Sequence, residues 1–220
     1  MSIHFQRELG LLRKLILSVG AAVEDAISKS IAALLTRDGK LAEQVVGGDD
    51  EIDRLEIEVE EECLKILALY QPVALDLRFI VAVLKLNNDL ERMGDHAANI
   101  AKRAAWLVKR APVAWPPELE AMADNVKGMV KGSLDALING NGDLARQVCA
   151  ADDAVDRQRQ SIAAALRAEL FVVTEHRESL LKMLDVPRHL ERIADLATNV
   201  AEDVIYLAEG RIARHQHEAE

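Results

Sequence analysis

A chain of 220 residues with a formal charge of −10, half of it hydrophobic and only 3% aromatic, has ample material for a core but too few aromatic residues for a β-sandwich or barrel. The negative balance excludes a protein whose whole surface seeks a phosphodiester backbone, so nucleic acid is not an expected partner. No uncharged apolar run approaches bilayer-spanning length, and the charged N-terminal segment (Arg7, Glu8, Arg13, Lys14) lacks the order of an export signal, which gives the reading of a cytoplasmic, all-α protein.

Apolar residues recur at helical spacing along the chain. Leu12, Ile16, Val19, Val23, Ile27, Ile31 and Leu34 mark a first helix. After a break expected at Gly47-Gly48, Ile52, Leu55, Val59, Cys63 and Ile66 mark a second. A third runs through Ile80, Leu84, Leu86, Leu90, Met93, Ala97, Ile100, Ala104 and Leu107. The stretch RAPVAWPPELE then places Pro112, Pro116 and Pro117 where they can end one helix and begin the next, and the domain boundary is drawn there, giving repeats at 1–112 and 113–220. Beyond it the pattern returns in Leu119, Met122, Val126, Val130 and Leu137, then after Asn139-Gly140 in Ile162, Leu166 and Leu170, and finally in Leu190, Ile193, Ala197, Val200, Val204 and Leu207. Each half reads as a three-helix bundle, with helices of about 45 Å giving an elongated molecule.

The halves are copies. Leu41, Gln44 and Asp53 match Leu144, Gln147 and Asp156 at an offset of 103, and Leu90, Glu91, Arg92, Asp95, Asn99 and Ala101 match Leu190, Glu191, Arg192, Asp195, Asn199 and Ala201 at an offset of 100. The same alignment sets Cys63 against Leu166 and Cys149 against Val46, so both cysteines are expected as core thiols.

What recurs in the last helix of each half is a strip of carboxylates. Glu91, Asp95 and Asn99, and in the second copy Glu191, Asp195, Asn199 and Glu202, fall at i, i+4 and i+8 on one side of a helix, turned about 120–160° away from the apolar stripe. A solvated face needs only polarity, whereas both copies keep the same residue types. Side-chain oxygens without thiolate or imidazole suit hard cations, so two metal sites are the sharper reading, completed by oxygens from a neighbouring helix. The acids Asp49, Asp50, Asp53 and Asp152, Asp153, Asp156 are weaker ligand candidates, read first as helix caps and partners of the helix dipole. The six histidines lack the inward Glu-x-x-His pairs of a di-iron bundle and are expected on the surface. No nucleotide-binding glycine loop is present, and the Ser179 to Lys182 match to Ser-x-x-Lys stands without its companion motifs, so the chain reads as a non-enzyme.

The duplicated LERMGDHAANIA and LERIADLATNVAE, together with QPVALDLRFIVAVLK from Gln71 to Lys85, resemble the PhoU family of bacterial phosphate-signalling proteins over nearly the whole chain. The resemblance implies two tandem three-helix bundles. It also implies a cytoplasmic negative regulator of phosphate uptake and of the phosphate-starvation response, an adaptor between the ATPase subunit of a phosphate ABC transporter and a sensor histidine kinase, peripheral at the membrane through those partners. It further implies surface clusters of iron or another hard divalent cation (Mn, Mg, Zn or Ca) held by Glu91 and Asp95 and by Glu191 and Asp195, with Asn99 and Asn199 beside them. Gln71, Asp76 and Arg78 are the candidate partner-contact residues, and a homodimer is the expected assembly. Lys102 stands where the second copy has Glu202, so the first strip is expected to hold a cation less well. The competing reading is a metal-storage bundle.

Overall fold

Residues 3–172 and 175–209 are described by a computed structural model. They form eight helices and no strand: α1 (Ile3–Thr36), α2 (Gly39–Gly47), α3 (Asp49–Tyr70), α4 (Ala74–Val108), α5 (Glu118–Asn139), α6 (Gly142–Val172), α7 (Arg177–Met183) and α8 (Asp185–Glu209). The apolar stripes read from the sequence are the buried ones: Leu12, Val19, Val23 and Ile27 of α1, Val59, Cys63 and Ile66 of α3, and Ile80, Leu90, Met93 and Ala97 of α4 share one core. Three rods per half are present, with one rod in each half interrupted. In the first half the middle rod breaks at Gly48, whose N–H donates to the carbonyls of Gln44 and Val45, whereas α6 runs unbroken through the equivalent Ala150 and Ala151. In the second half the last rod breaks at Leu184, and Pro187 sits in the first turn of α8 where it forfeits no helical hydrogen bond.

The duplication extends to the turns. Arg37 and Gly140, equivalent at the offset of 103, both lie in the left-handed region, at φ 57° and 59°. The next residue caps the following helix in each copy: the Asp38 carboxylate accepts the N–H groups of Lys40 and Leu41 at 3.0 Å, and the Asn141 side-chain oxygen accepts that of Leu144 at 3.1 Å. Ser30 and Ser133, both fully buried, each donate to the carbonyl three residues back at 2.8 Å. Where glycine suffices in the second copy, Arg37 has acquired a task. Its guanidinium donates to the carbonyls of Leu107, Val108 and Arg110 at 2.9, 3.2 and 2.6 Å, closing the C-terminus of α4. Arg37→Ala removes these bonds and keeps the left-handed strain, so it is expected to cost about 2–3 kcal/mol in urea unfolding. Arg37→Gly relieves the strain and should cost about 1 kcal/mol less than the alanine.

Because Arg37 at the end of α1 meets the end of α4, α1 and α4 run parallel and α3 runs between their ends in the opposite sense. The two bundles join where α4 packs on α8, with α1 against α5 alongside. At that second contact a Cβ on Gly20 would stand 2.8 Å from Leu134 Cδ1, so a larger residue would displace that side chain. Across the first, Lys85 pairs with Asp203 at 3.7 Å and Arg103 with Asp185 at 2.9 Å. The offset of 100 converts each of these pairs into the other, so α4 and α8 cross antiparallel about a pseudo-two-fold axis.

Candidate functional site

The strips lie at the edge of a cleft between two helices, with Asp95 and Asn199 still exposed. Glu91 is half-buried, and the groups that press on it are Asp95 of its own helix and Asp53, Glu56 and Asp49 of α3. In the second copy Glu191 and Asp195 of α8 meet Asp152 and Asp156 of α6, again half-buried. Each cluster therefore spans two helices of one bundle. The carboxylates on α3 are placed by the start of that helix, whose first turn holds Asp49, Asp50 and Glu51 without a side-chain cap. Those on α6 lie in mid-helix, so a capping role for Asp152, Asp153 and Asp156 is corrected: no helix begins there.

Burial and mutual repulsion raise these groups. Asp49 is pushed above the usual carboxylate range by burial, then by Asp95 and Asp53, and Lys102 partly offsets this. Glu91 is raised by burial and by Asp95, Asp53, Glu56 and Asp49. Asp152 is pushed up to about 6 by burial and by Asp195, Asp156 and Asp153. Glu191 is raised by burial, against the pull of Arg159, whose Nε lies 2.9 Å from Glu191 Oε1. Both clusters have basic neighbours: Lys102 acts on Asp49 in the first, and in the second Arg159 pairs with Glu191 and Arg192 with Asp195 at 3.1 Å. Asn99 is half-buried and Asn199 exposed, one turn farther along, and Glu202 lies instead beside Cys149, whose thiol burial and Glu202 push up to about 11. Cys63 is buried as expected, but Cys149 is only half-buried. His96 and His189, expected on the surface, are half-buried and face each other across the α4/α8 contact, Nδ1 to Nδ1 at 3.3 Å.

A carboxylate whose pKa is raised destabilises the fold once it ionises. For Asp152 the folded value of about 6 exceeds the ordinary 3.8, so stability declines as pH rises through that interval and the penalty is fully present at pH 7. Allowing for partial exposure, Asp152→Asn is expected to raise the unfolding free energy by about 1 kcal/mol at pH 7 and by nothing at pH 3.5. Raised carboxylates repeated in both copies make the two clusters the candidate site.

The donor set is oxygen only, which suits a hard divalent cation. The buried Thr198 hydroxyl lies against Asp152, lowering its pKa as a hydrogen-bond donor, and adds one more oxygen beside the second cluster. An oxygen-only set of this kind fits a cation. In the present side-chain positions no three His, Cys, Asp or Glu residues converge as ligands among the described residues, so binding requires the carboxylates to change rotamer. The residues that would hold it are Asp49, Asp53, Glu91 and Asp95, and Asp152, Asp156, Glu191 and Asp195. The sequence signal for the α3 and α6 contributions was the retention of all three aspartates in both copies. Gln71 at the α3–α4 turn and Asp76 and Arg78 in the first two turns of α4 lie far from these clusters, Gln71 closing α3 in the left-handed conformation rather than opening α4.

The family model for the PhoU domain matches residues 16–104 and again 119–204. A phosphate-specific transport system accessory protein PhoU homologue from Aquifex aeolicus is 40% identical over 96% of either chain. The crystal structure of PhoU from Pseudomonas aeruginosa superposes with a TM-score of 0.89 at 36% identity, covering 94% of this chain and all of that one. That of the phosphate transport system regulatory protein PhoU from Streptococcus pneumoniae gives 0.88 at 29% identity, covering 94% and 98%. With both halves matched by the domain and both bundles superposed on those structures, the chain belongs to the PhoU family, as a tandem of two PhoU domains.

Proposed function

We propose that this protein is a regulatory accessory of a phosphate-specific transport system, acting without catalysis at the cytoplasmic face of the membrane. It links the transporter's ATPase subunit to a sensor histidine kinase and holds the kinase inactive when phosphate is plentiful. The names carried by its relatives support the transport role. The observation that supports a binding rather than a catalytic mechanism is the pair of strained acidic clusters, one per domain, each destabilising the bundle that carries it. A positive counterpart relieves that repulsion, and a surface that binds one partner state better than another shifts the partner's equilibrium by the difference. A divalent cation, iron among the candidates, would neutralise the clusters and alter this preference. Gln71 of the α3–α4 turn, with Asp76 and Arg78 at the start of α4, is proposed as a second point of contact with the partner proteins.

The decisive experiment replaces both acids of one strip, Glu191→Lys with Asp195→Lys, in cells grown with ample phosphate. The expected result is a starvation response switched on despite the phosphate, with a helical spectrum and melting transition like those of the unaltered chain. Normal repression in such cells would remove that strip from the mechanism. Metal content and binding to the ATPase subunit and kinase, measured on the same purified sample before and after chelation, then decide whether the positive counterpart is a cation or the partner itself.

A further inference from the structure

The two acidic clusters are copies in sequence but not in the groups that answer their charge. In the second, Arg159 Nε lies 2.9 Å from Glu191 Oε1, Arg192 Nη1 lies 3.1 Å from Asp195 Oδ2, and the Thr198 hydroxyl meets Asp152. Among the described residues the first cluster lacks all three counterparts. The offset of 103 puts Glu56 where the second copy has Arg159, and the offset of 100 puts Ala98 where it has Thr198. Arg92, the equivalent of Arg192, pairs at 3.7 Å with Asp89, whose place in the second copy is taken by His189. Beyond burial, the largest influences on Glu91 are therefore Asp95, Asp53, Glu56 and Asp49, acids without exception, whereas Arg159 and Arg192 both act on Glu191.

An unpaired oxygen stands at the same place. Asn87 lies one turn before Glu91 on α4, at 1% exposure, and its Nδ2 donates to the backbone carbonyl of Glu56 at 2.8 Å. That bond fixes the way the carboxamide faces, since the flipped group would set oxygen against oxygen. Its Oδ1 is left buried with no hydrogen-bond partner among the described residues, and nothing there compensates its removal from water. The second copy has Pro187 at this position, which brings no polar side-chain atom. An extra carboxylate and an uncompensated carbonyl oxygen thus occur together at one end of the first cluster, and both are missing from that end of the second. Carboxylate and amide oxygens are the shell that a hard divalent cation takes, and such an ion answers the repulsion and the orphaned oxygen at once.

We propose that the two clusters have parted in function: the first holds a divalent cation at the end marked by Asp53, Glu56, Glu91 and Asn87 Oδ1, while in the second Arg159 is the built-in counter-ion at the same position. This rests on the reading that the clusters meet a positive counterpart, and it says which of them meets an ion. It reverses what Lys102 implies by itself, because Lys102 acts on Asp49, about two turns along α3 from Glu56. The charge of the first domain then follows the cation, and that of the second is fixed by its own arginine.

The test is equilibrium dialysis of the chelator-treated full chain against Mn²⁺ at about pH 7, where free carboxylates are ionised. A single class of tight site, in the first domain, is expected. Glu56→Arg, which installs the second copy's residue, should weaken it about tenfold or more, and Asn87→Ala and the milder Glu56→Gln should weaken it by less. Glu191→Lys with Asp195→Lys, in the other cluster, should leave it unchanged. Arg159→Glu should create a second site. Glu56 and Arg159 lie outside the apolar core, and unchanged melting of each variant confirms that it is folded. Two equal sites in the unaltered chain, a site that survives both Glu56 variants, or no gain from Arg159→Glu overturns the division of roles while leaving cation binding by the clusters in place. Absence of Mn²⁺ binding by the unaltered chain overturns both.

Discussion

Gly94→Val is expected to lower the unfolding free energy by about 3 kcal/mol and to disable the first acidic cluster with it. A Cβ on Gly94 would stand 2.9 Å from Ile52 Cδ1 and 3.3 Å from its Cγ2, so the closest approach of α4 to α3 occurs where neither side has room. The site lies on either flank: Glu91 and Asp95 bracket Gly94, and Asp49 and Asp53 bracket Ile52. Forcing the helices apart therefore separates the carboxylates that face each other across the cleft. The second copy solves the same contact differently, with Ala194 in place of Gly94 and Val155, one methylene smaller, in place of Ile52. This makes a sharper experiment available. Gly94→Ala alone should be nearly neutral, because the helix propensity gained, about 1 kcal/mol, offsets the displaced methyl. Gly94→Ala with Ile52→Val rebuilds the second copy's arrangement, and a double-mutant cycle in denaturant should show favourable coupling of about 0.5–1 kcal/mol. Strict additivity would mean that the two positions do not share the contact.

Acidification should loosen the joint between the bundles. The His96 pKa is lowered by burial and by Arg92 and Arg192, against Asp95 and Asp195, which raise it. That of His189 is lowered to about 4 by burial, then by His96, Arg103 and Arg188, against Asp185. Two neutral rings share one proton between their Nδ1 atoms, whereas two imidazolium rings at 3.3 Å would oppose two donors. The folded values lie below the ordinary 6.5, so the contribution of the pair is fully present above pH 6.5 and is lost as pH falls through about 4. With partial exposure taken into account the loss is about 1–2 kcal/mol. The acidic clusters titrate in the opposite sense over part of this range, so the pair is isolated by difference. His96→Phe with His189→Leu should remove that component from the pH dependence of urea unfolding, and identical profiles for the two chains would refute the assignment.

Periodicity carried the fold a long way because helices bury a stripe, and the residues at i, i+3 and i+4 that sequence marks as apolar are those that vanish from solvent. It carried the site less far. From one helix, the strip of Glu91 and Asp95 looks like a face turned to water, since its angle from the apolar stripe is large; in the bundle that angle points at α3, whose own acids come to meet it. Periodicity describes a helix and is silent about its neighbours. The aspartates of α6 were misassigned for a related reason: in the first copy the same three residues open a helix, and only the absence of a second glycine pair at Ala150 and Ala151 shows that the second copy has no break. His96 and His189 are unpaired by sequence spacing and become partners only through the antiparallel crossing of α4 and α8.

That crossing also carries a pairing code. The symmetric positions are 85 with 203 and 185 with 103, and they hold lysine against aspartate one way and aspartate against arginine the other. If two first domains met through this face, Lys85 would oppose Arg103. If two second domains met, Asp185 would oppose Asp203. Each domain is thus charged to refuse its own kind and accept its sibling, so an exchange of α4 faces between neighbouring chains is discouraged even where the apolar surfaces are nearly interchangeable. Gene duplication made two self-complementary halves, and two oppositely signed ion pairs have turned them into a lock and its key on one polypeptide.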